Sequence, residues 1–194
     1  MRRIALLVFA ALASFVLVAC GGDSTGSNAG SAPASPAAPD HNDADVMFAQ
    51  MMIPHHQQAV EMADLAPTRA QSPEVKALAT KIRDAQAPEI ETMTGWLTSW
   101  GQSVEMSGGG HGSGHGSSTG MMTEEEMQKL MAATGAEFDR MFLEMMTEHH
   151  KSAITMAQDE QRNGQFAPAK ELAGMIVSTQ QAEVSEMEAL LKQV

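Results

Sequence analysis

Two histidine pairs, His55-His56 and His149-His150, each stand among methionines: Met51, Met52 and Met62 around the first, Met145, Met146 and Met156 around the second. Imidazole and thioether side chains together are ligands for soft and borderline transition metals. Met51, His55 and Met62 recur at helical spacing, as do Met145, His149 and Met156, so each set forms one row along a helix. Adjacent histidines on a helix point about 100° apart, which lets one ring of each pair face the interior while the other reaches the rim. Methionine at this spacing also serves as plain core filling. Repeated imidazoles are harder to explain that way, because burying them carries a desolvation cost that apolar side chains avoid.

The two sets are copies of one stretch. Asp45 to Ala63 and Asp139 to Ala157 align at an offset of 94 and share Asp, Met, Phe, Met-Met, His-His, Ala and Met-Ala, 10 identities over 19 positions. The offset continues downstream, pairing Leu78 with Leu172, Ile82 with Ile176, Gln86 with Gln180, Glu89 with Glu183 and Met93 with Met187. The repeating unit is therefore a helical hairpin. Two amphipathic hairpins hide their apolar faces by packing on each other, which predicts an all-α four-helix bundle of ferritin-like type with internal pseudo-twofold symmetry.

Local signals place the elements. A first helix starts at Asp43 or Asp45 and is stopped by Pro67, with Pro54 inside it as an expected kink and Glu148 at that place in the second copy. A second opens at Ser72-Pro73-Glu74 and runs to about Trp100, with Gly101 as its stop. Thr123 to Glu126 reads as a capping box for a short helical run, Gly135 breaks that run, and the third long helix spans about Ala136 to Arg162. The last helix starts at Pro168. Asp45 and Asp139 are expected as helix caps or as partners of a histidine ring nitrogen.

The chain's start is a separate matter. Arg2 and Arg3 precede an apolar run from Ile4 to Val18, too short for a membrane span, and Leu17-Val18-Ala19-Cys20 resembles a bacterial lipobox. Residues 1–20 are thus expected to be a lipoprotein signal peptide, with Cys20 as the lipidated residue. Residues 21–42, rich in Gly, Ser, Ala and Pro, read as a disordered tether. The bundle domain occupies 43–194, with repeat one at 43–101, a His/Met/Gly loop at 102–122 and repeat two at 123–194. His111, His115, Met121 and Met122 make that loop a weaker metal candidate.

Composition narrows the chemistry. Cys20 is the single cysteine, so lipidation would leave no thiol for a disulfide, a Cys-ligated zinc site, an iron-sulfur cluster or a blue-copper site. A formal charge of -12 argues against nucleic acid and against electrostatic binding to anionic lipid. The Glu-x-x-His signature of di-iron bundles is absent, since Met52, Ile53, Met146 and Thr147 stand three residues before the histidines. There is no His-Glu-x-x-His either. Thioethers favour Cu(I) and imidazole accommodates Cu(II), so copper is the expected ion, with Cu(I) favoured.

The doubled Asp-x-x-Phe-x-x-x-Met-x-x-His-His-x-x-Ala-x-x-Met-Ala pattern resembles the ferritin-like family catalogued as domain of unknown function 305, which includes CopM-type periplasmic copper-binding proteins. The resemblance spans about residues 43 to 194. It implies a helical bundle and copper binding or tolerance outside the cytoplasm, with Met51, Met52, His55, His56, Met62, Met145, Met146, His149, His150 and Met156 as the matching ligand positions. The resulting expectation is a lipid-anchored copper-binding protein of the cell envelope that sequesters or hands on the ion to an unidentified envelope partner and has no catalytic residues. The alternatives are a metal-dependent redox enzyme and an envelope interaction module without metal.

Overall fold

The computed structural model describes residues 40–105 and 120–194, so the expected signal peptide with Cys20, nearly all of the tether, and His111 and His115 lie outside the described residues. Those residues form five helices: α1 (Asp43–Arg69), α2 (Pro73–Ser99), the short α3 (Glu124–Ala132), α4 (Gly135–Asn163) and α5 (Ala167–Leu190). The four long helices are the two hairpins of the repeat, α1 with α2 and α4 with α5, and the hairpins meet chiefly through α1 and α4.

The caps follow the side-chain chemistry. The first helix starts at Asp43 as expected, but its cap is Asn42, one residue earlier than either expected cap, in a reciprocal capping box with Asp45. Ser72 caps α2 with Pro73 at its first position, and Thr123 with Glu126 boxes α3. Pro67 does not stop α1. The helix continues to Arg69, and the Ala70 N–H still reaches the Ala66 carbonyl at 3.0 Å. In the last turn a proline removes one intrahelical bond and leaves the rest standing. Pro54 likewise sits within an unbroken α1. Gly135, at φ +66°, makes the turn from α3 into α4 in a conformation that suits glycine.

Helices α1 and α4 run antiparallel. The Asn42 side chain donates to the Asn163 carbonyl at one end, Ala70 bridges to Gly135 at the other, and the His55 and His149 rings meet between them. The pseudo-twofold therefore passes close to the two histidines. On one side of it lies an apolar cluster of Met62, Ala66, Leu78, Ile82, Phe138, Phe142 and Met146, extended by Met127 and Leu130 of α3. On the other lies a second cluster of Phe48, Met52, Ile53, Met93, Leu97, Ala173 and Ile176. Burial of this apolar surface is the main term holding the hairpins together.

The repeated aspartates clasp the hairpins across the symmetry. Asp139 on α4 accepts from the backbone N–H groups of Gln71 and Ser72 at 3.1 and 2.8 Å, in the loop between α1 and α2. Asp45 on α1 accepts from Gln165 and Phe166 at 3.1 and 2.9 Å, in the loop between α4 and α5. Each hairpin's loop is thus held by the other hairpin's carboxylate. Neither role is the expected one alone: Asp45 also takes part in its own helix cap, whereas Asp139 caps nothing on α4, and neither bonds to a histidine.

One clasp carries an extra acid. Glu160, 2% exposed, lies against Asp45, while the equivalent position facing Asp139 is Ala66. As a carboxylate Glu160 would have no donor, so it keeps its proton and shares it with Asp45. Burial first, then the hydrogen bond and charge of Asp45, push its pKa up to about 8, against the opposing charge of Lys170. Burial also pushes Asp45 up, but the bonds from Glu160, Asn42, Phe166 and Gln165 outweigh it and hold it below its ordinary value. Gly164 closes over the pair; a Cβ there would come within 2.1 Å of Glu160 Oε1 and 2.8 Å of Asp45 Oδ1.

The sign of the pH effect follows. An acid with a raised folded pKa stabilises the fold fully below its ordinary 4.5 and loses that contribution as pH rises toward about 8. Urea unfolding should lose stability across that interval, by no more than about 1.4 kcal/mol per pH unit, and Glu160→Gln, which keeps a donor for Asp45 without titrating, should flatten the profile. An unchanged profile in Glu160→Gln would show that another group sets it.

Candidate metal centre

Between the two apolar clusters lies a polar layer built from one turn of each long helix. His55 and His56 come from α1, His149 and His150 from α4, Gln86 and Glu89 from α2, and Gln180 and Glu183 from α5. All four histidines are buried. Each helix therefore carries a polar interruption inside its apolar stripe, and the antiparallel packing brings the four interruptions to one level.

The His55 and His149 rings stack across the pseudo-axis, with centroids 3.6 Å apart and planes tilted by 35°. The other two rings turn toward the neighbouring helix of their own hairpin. His56 Nε2 lies 2.7 Å from Glu89 Oε2, and His150 Nε2 lies 2.9 Å from Glu183 Oε2. His55 Nε2 lies 3.0 Å from Ser152 Oγ. The residue in that place in the other half is Gln58, whose amide is engaged instead by the Met122 backbone, donating to its carbonyl at 2.8 Å and accepting from its N–H at 2.7 Å.

The layer is only partly satisfied. The Nδ1 atoms of all four histidines, Nε2 of His149, both amide atoms of Gln86, Oε1 of Gln180 and Oε1 of Glu183 have no hydrogen-bond partner. These make up nine of the eleven such buried side-chain atoms among the described residues, the other two being the oxygens of Glu160, which find a partner in Asp45 only when Glu160 carries its proton. A purely structural polar network tends to be fully paired, because each unpaired buried group costs about 1–3 kcal/mol. Unpartnered lone pairs gathered at one level are what a bound cation would use.

Burial also disfavours the charged form of His55, His149 and His150. Desolvation, followed by the charges of His56 and His150, pulls His55 down to about 3. Desolvation does the same to His149, well below the ordinary value. His150 is lowered by desolvation even though Glu183 acts to raise it. A neutral imidazole keeps a lone pair, which is the form that ligates metal. Among the described residues no group of three or more His, Cys, Asp or Glu side chains is arranged to hold one ion by itself. Any third donor therefore has to come from another residue type, of which the layer itself offers the unpartnered amide oxygens of Gln86 and Gln180.

The methionines are not arranged as two equivalent rows. Met52, Met62 and Met146 are fully buried in the apolar clusters, and Met145 is half-buried against one of them. Met51 and Met156, from opposite repeats, line one surface depression of about 440 Å³ together with Met47, Phe48 and Glu160. Antiparallel packing explains this pairing, since the early methionine of one row meets the late methionine of the other. At the other end Met62, Met141 and Met145 belong to the cluster that Met127 and Leu130 of α3 complete. Met121 is half-buried, and Met122 packs on that same cluster while its backbone binds Gln58. Glu89, Glu183, Gln86 and Gln180 were not among the expected site residues. Their signal was a polar residue recurring at the same offset inside an apolar stripe.

The model of the family described as domain of unknown function (DUF305) matches residues 45–191. No curated protein matches the chain. Among solved structures, a DUF305 fragment from Deinococcus radiodurans is 30% identical with a TM-score of 0.72, covering 80% of this chain and 100% of its own. A DUF305 protein from Streptomyces coelicolor, described as a candidate secreted protein, is 35% identical with a TM-score of 0.71 over 77% of this chain and 93% of its own. CopM in its Cu(II)-bound form is 33% identical with a TM-score of 0.66, covering 77% and 96%. CopM was also solved in Cu(I)-bound and Ag-bound forms.

A histidine with a lowered folded pKa leaves the fold less stable as pH falls, because the unfolded ring takes a proton at about 6.5 and the buried ring does not until about 3. Each stacked ring should therefore steepen the loss of stability by up to about 1.4 kcal/mol per pH unit in that interval. Replacing the stack by His55→Phe with His149→Phe should leave a shallower slope of urea midpoint between pH 6 and pH 4. An equal slope would show that the rings are not buried in neutral form.

Proposed function

The chain belongs to the family described as domain of unknown function 305, and on that premise we propose that it is an extracytoplasmic, lipid-anchored copper-binding protein that sequesters the ion or passes it on, without catalysis. The observation that carries this reading is the layer of four buried histidines with unpartnered ring nitrogens, two of them stacked across the pseudo-axis. The donor set fits copper. Neutral imidazoles suit both oxidation states, thioethers favour Cu(I), and Cu(I) accepts the few ligands that a histidine pair with a methionine can supply.

Two further points support it. CopM, a relative of like fold, takes Cu(II), Cu(I) and Ag, which is the ion preference of a site with soft donors. The arginine start, apolar run and Cys20 of the leader suit export and lipidation, and one relative is described as a candidate secreted protein. In this reading His55, His56, His149 and His150 form the buried part of the site, while Met51 and Met156, in the surface depression, meet the ion first.

Anaerobic Cu(I) titration against a competing chelator tests it. Changing the four histidines to Ala should lower affinity on the order of 100-fold or more. Met51→Leu with Met156→Leu, which leaves the layer intact, should slow uptake more than it lowers affinity. Equal affinity and equal uptake in all three proteins would sink the proposal.

A further inference from the structure

The two carboxylates that meet the outer histidines have no role in the reading above. Glu89 and Glu183 occupy equivalent places in the repeat, as do His56 and His150. The contact is made twice with the same atoms, Nε2 of the ring to Oε2 of the acid, at 2.7 and 2.9 Å. Both rings are fully buried, and Glu183 is 1% exposed. A buried ionic or hydrogen-bonded pair of this kind is not an economical way to hold helices together. Apolar residues of similar volume serve as well or better, because the desolvation of the carboxylate offsets most of the attraction. Nor does the layer behave as a closed structural network, since Gln86 and Gln180, one turn before the acids, keep unpartnered amide atoms.

We propose that Glu89 and Glu183 are the positioning residues of the copper site: each fixes its histidine as the Nε2–H tautomer, which leaves Nδ1 of His56 and Nδ1 of His150 as the lone pairs offered to the ion. A carboxylate can only accept, so the ring nitrogen facing it must carry the proton. The opposite nitrogen is then the acceptor, and in both rings it has no partner. Ligating histidines commonly donate their second ring N–H to a carboxylate, which holds the ring's orientation and raises the basicity of the ligating nitrogen. The stacked His55 and His149 have no acid against them, so their tautomers are not set in this way. The two acids are not equivalent to solvent: the Glu89 side chain is 20% exposed and that of Glu183 is 1%.

This role rests on the copper reading, and the test separates the two. Long-range proton–nitrogen NMR of the metal-free, histidine-labelled protein reads the tautomers directly, with no ion present. The expected spectrum shows His56 and His150 protonated at Nε2 alone. Glu89→Ala, chosen because Glu89 reaches solvent, should release the His56 tautomer and lower Cu(I) affinity by about 10- to 100-fold in the same chelator competition. Glu89→Gln, which keeps an acceptor for Nε2–H, should restore most of that loss. A metal-free spectrum with Nδ1 protonated, or a Glu89→Ala protein that binds Cu(I) as tightly as wild type, would overturn the positioning role. Failure of the wild-type protein to take up Cu(I) would instead overturn the copper reading on which it stands.

Discussion

Four imidazoles stripped of water at one level of a helical bundle carry a desolvation cost that leucines would not, and hydrogen bonding meets it only in part. Three of the rings find one partner each, in Ser152, Glu89 and Glu183, and His149 finds none. The rest of the architecture is arranged so that this layer survives. Apolar clusters lie on both sides of it, and they exclude solvent from the helix interior above and below. The stability missing from the layer is supplied by those clusters and by the clasps at the two ends.

The clasps also tie the two similar hairpins to each other. Asp45 and Asp139 each serve a loop that belongs to the other repeat, so docking of the hairpins exchanges water for a carboxylate at the backbone N–H groups of both loops. Local helix formation and association of the halves are thereby coupled. The symmetry is then broken at a few positions. Glu160 stands where the other repeat has Ala66, Ser152 where it has Gln58, and among the described residues α3 covers one end of the groove between α1 and α4 while the other end forms the methionine-lined depression.

Much of this was legible in the chain. The offset of 94 disclosed two hairpins, the histidine pairs and the equivalence of α1 with α4, because identities repeated across whole helices do not arise from local propensity. Ser72, Thr123 and Gly135 announced their helix ends, since caps and a positive φ are decided within a few residues. What escaped depended on distant partners. The loop N–H groups that Asp45 and Asp139 hold lie about 70 to 120 residues away, and nothing near either aspartate signals them. The methionine rows looked equivalent because a row shows which helix face a residue occupies and says nothing of what covers that face. Local signals make Pro67 a helix stop, yet a proline in the last turn costs α1 one hydrogen bond and the helix continues to Arg69.

Gly164 sits at an ordinary φ of -67°, so nothing in its backbone asks for glycine. Its identity is imposed by the carboxyl pair beneath it, where even a methyl group would overlap Glu160. Gly95, with open space around the same atom, is under no such demand. Sequence drift within this fold is therefore expected to be linked: losing the acid at position 160 relieves the tightest overlap at position 164, while the Asp45 oxygen at 2.8 Å still limits what can stand there.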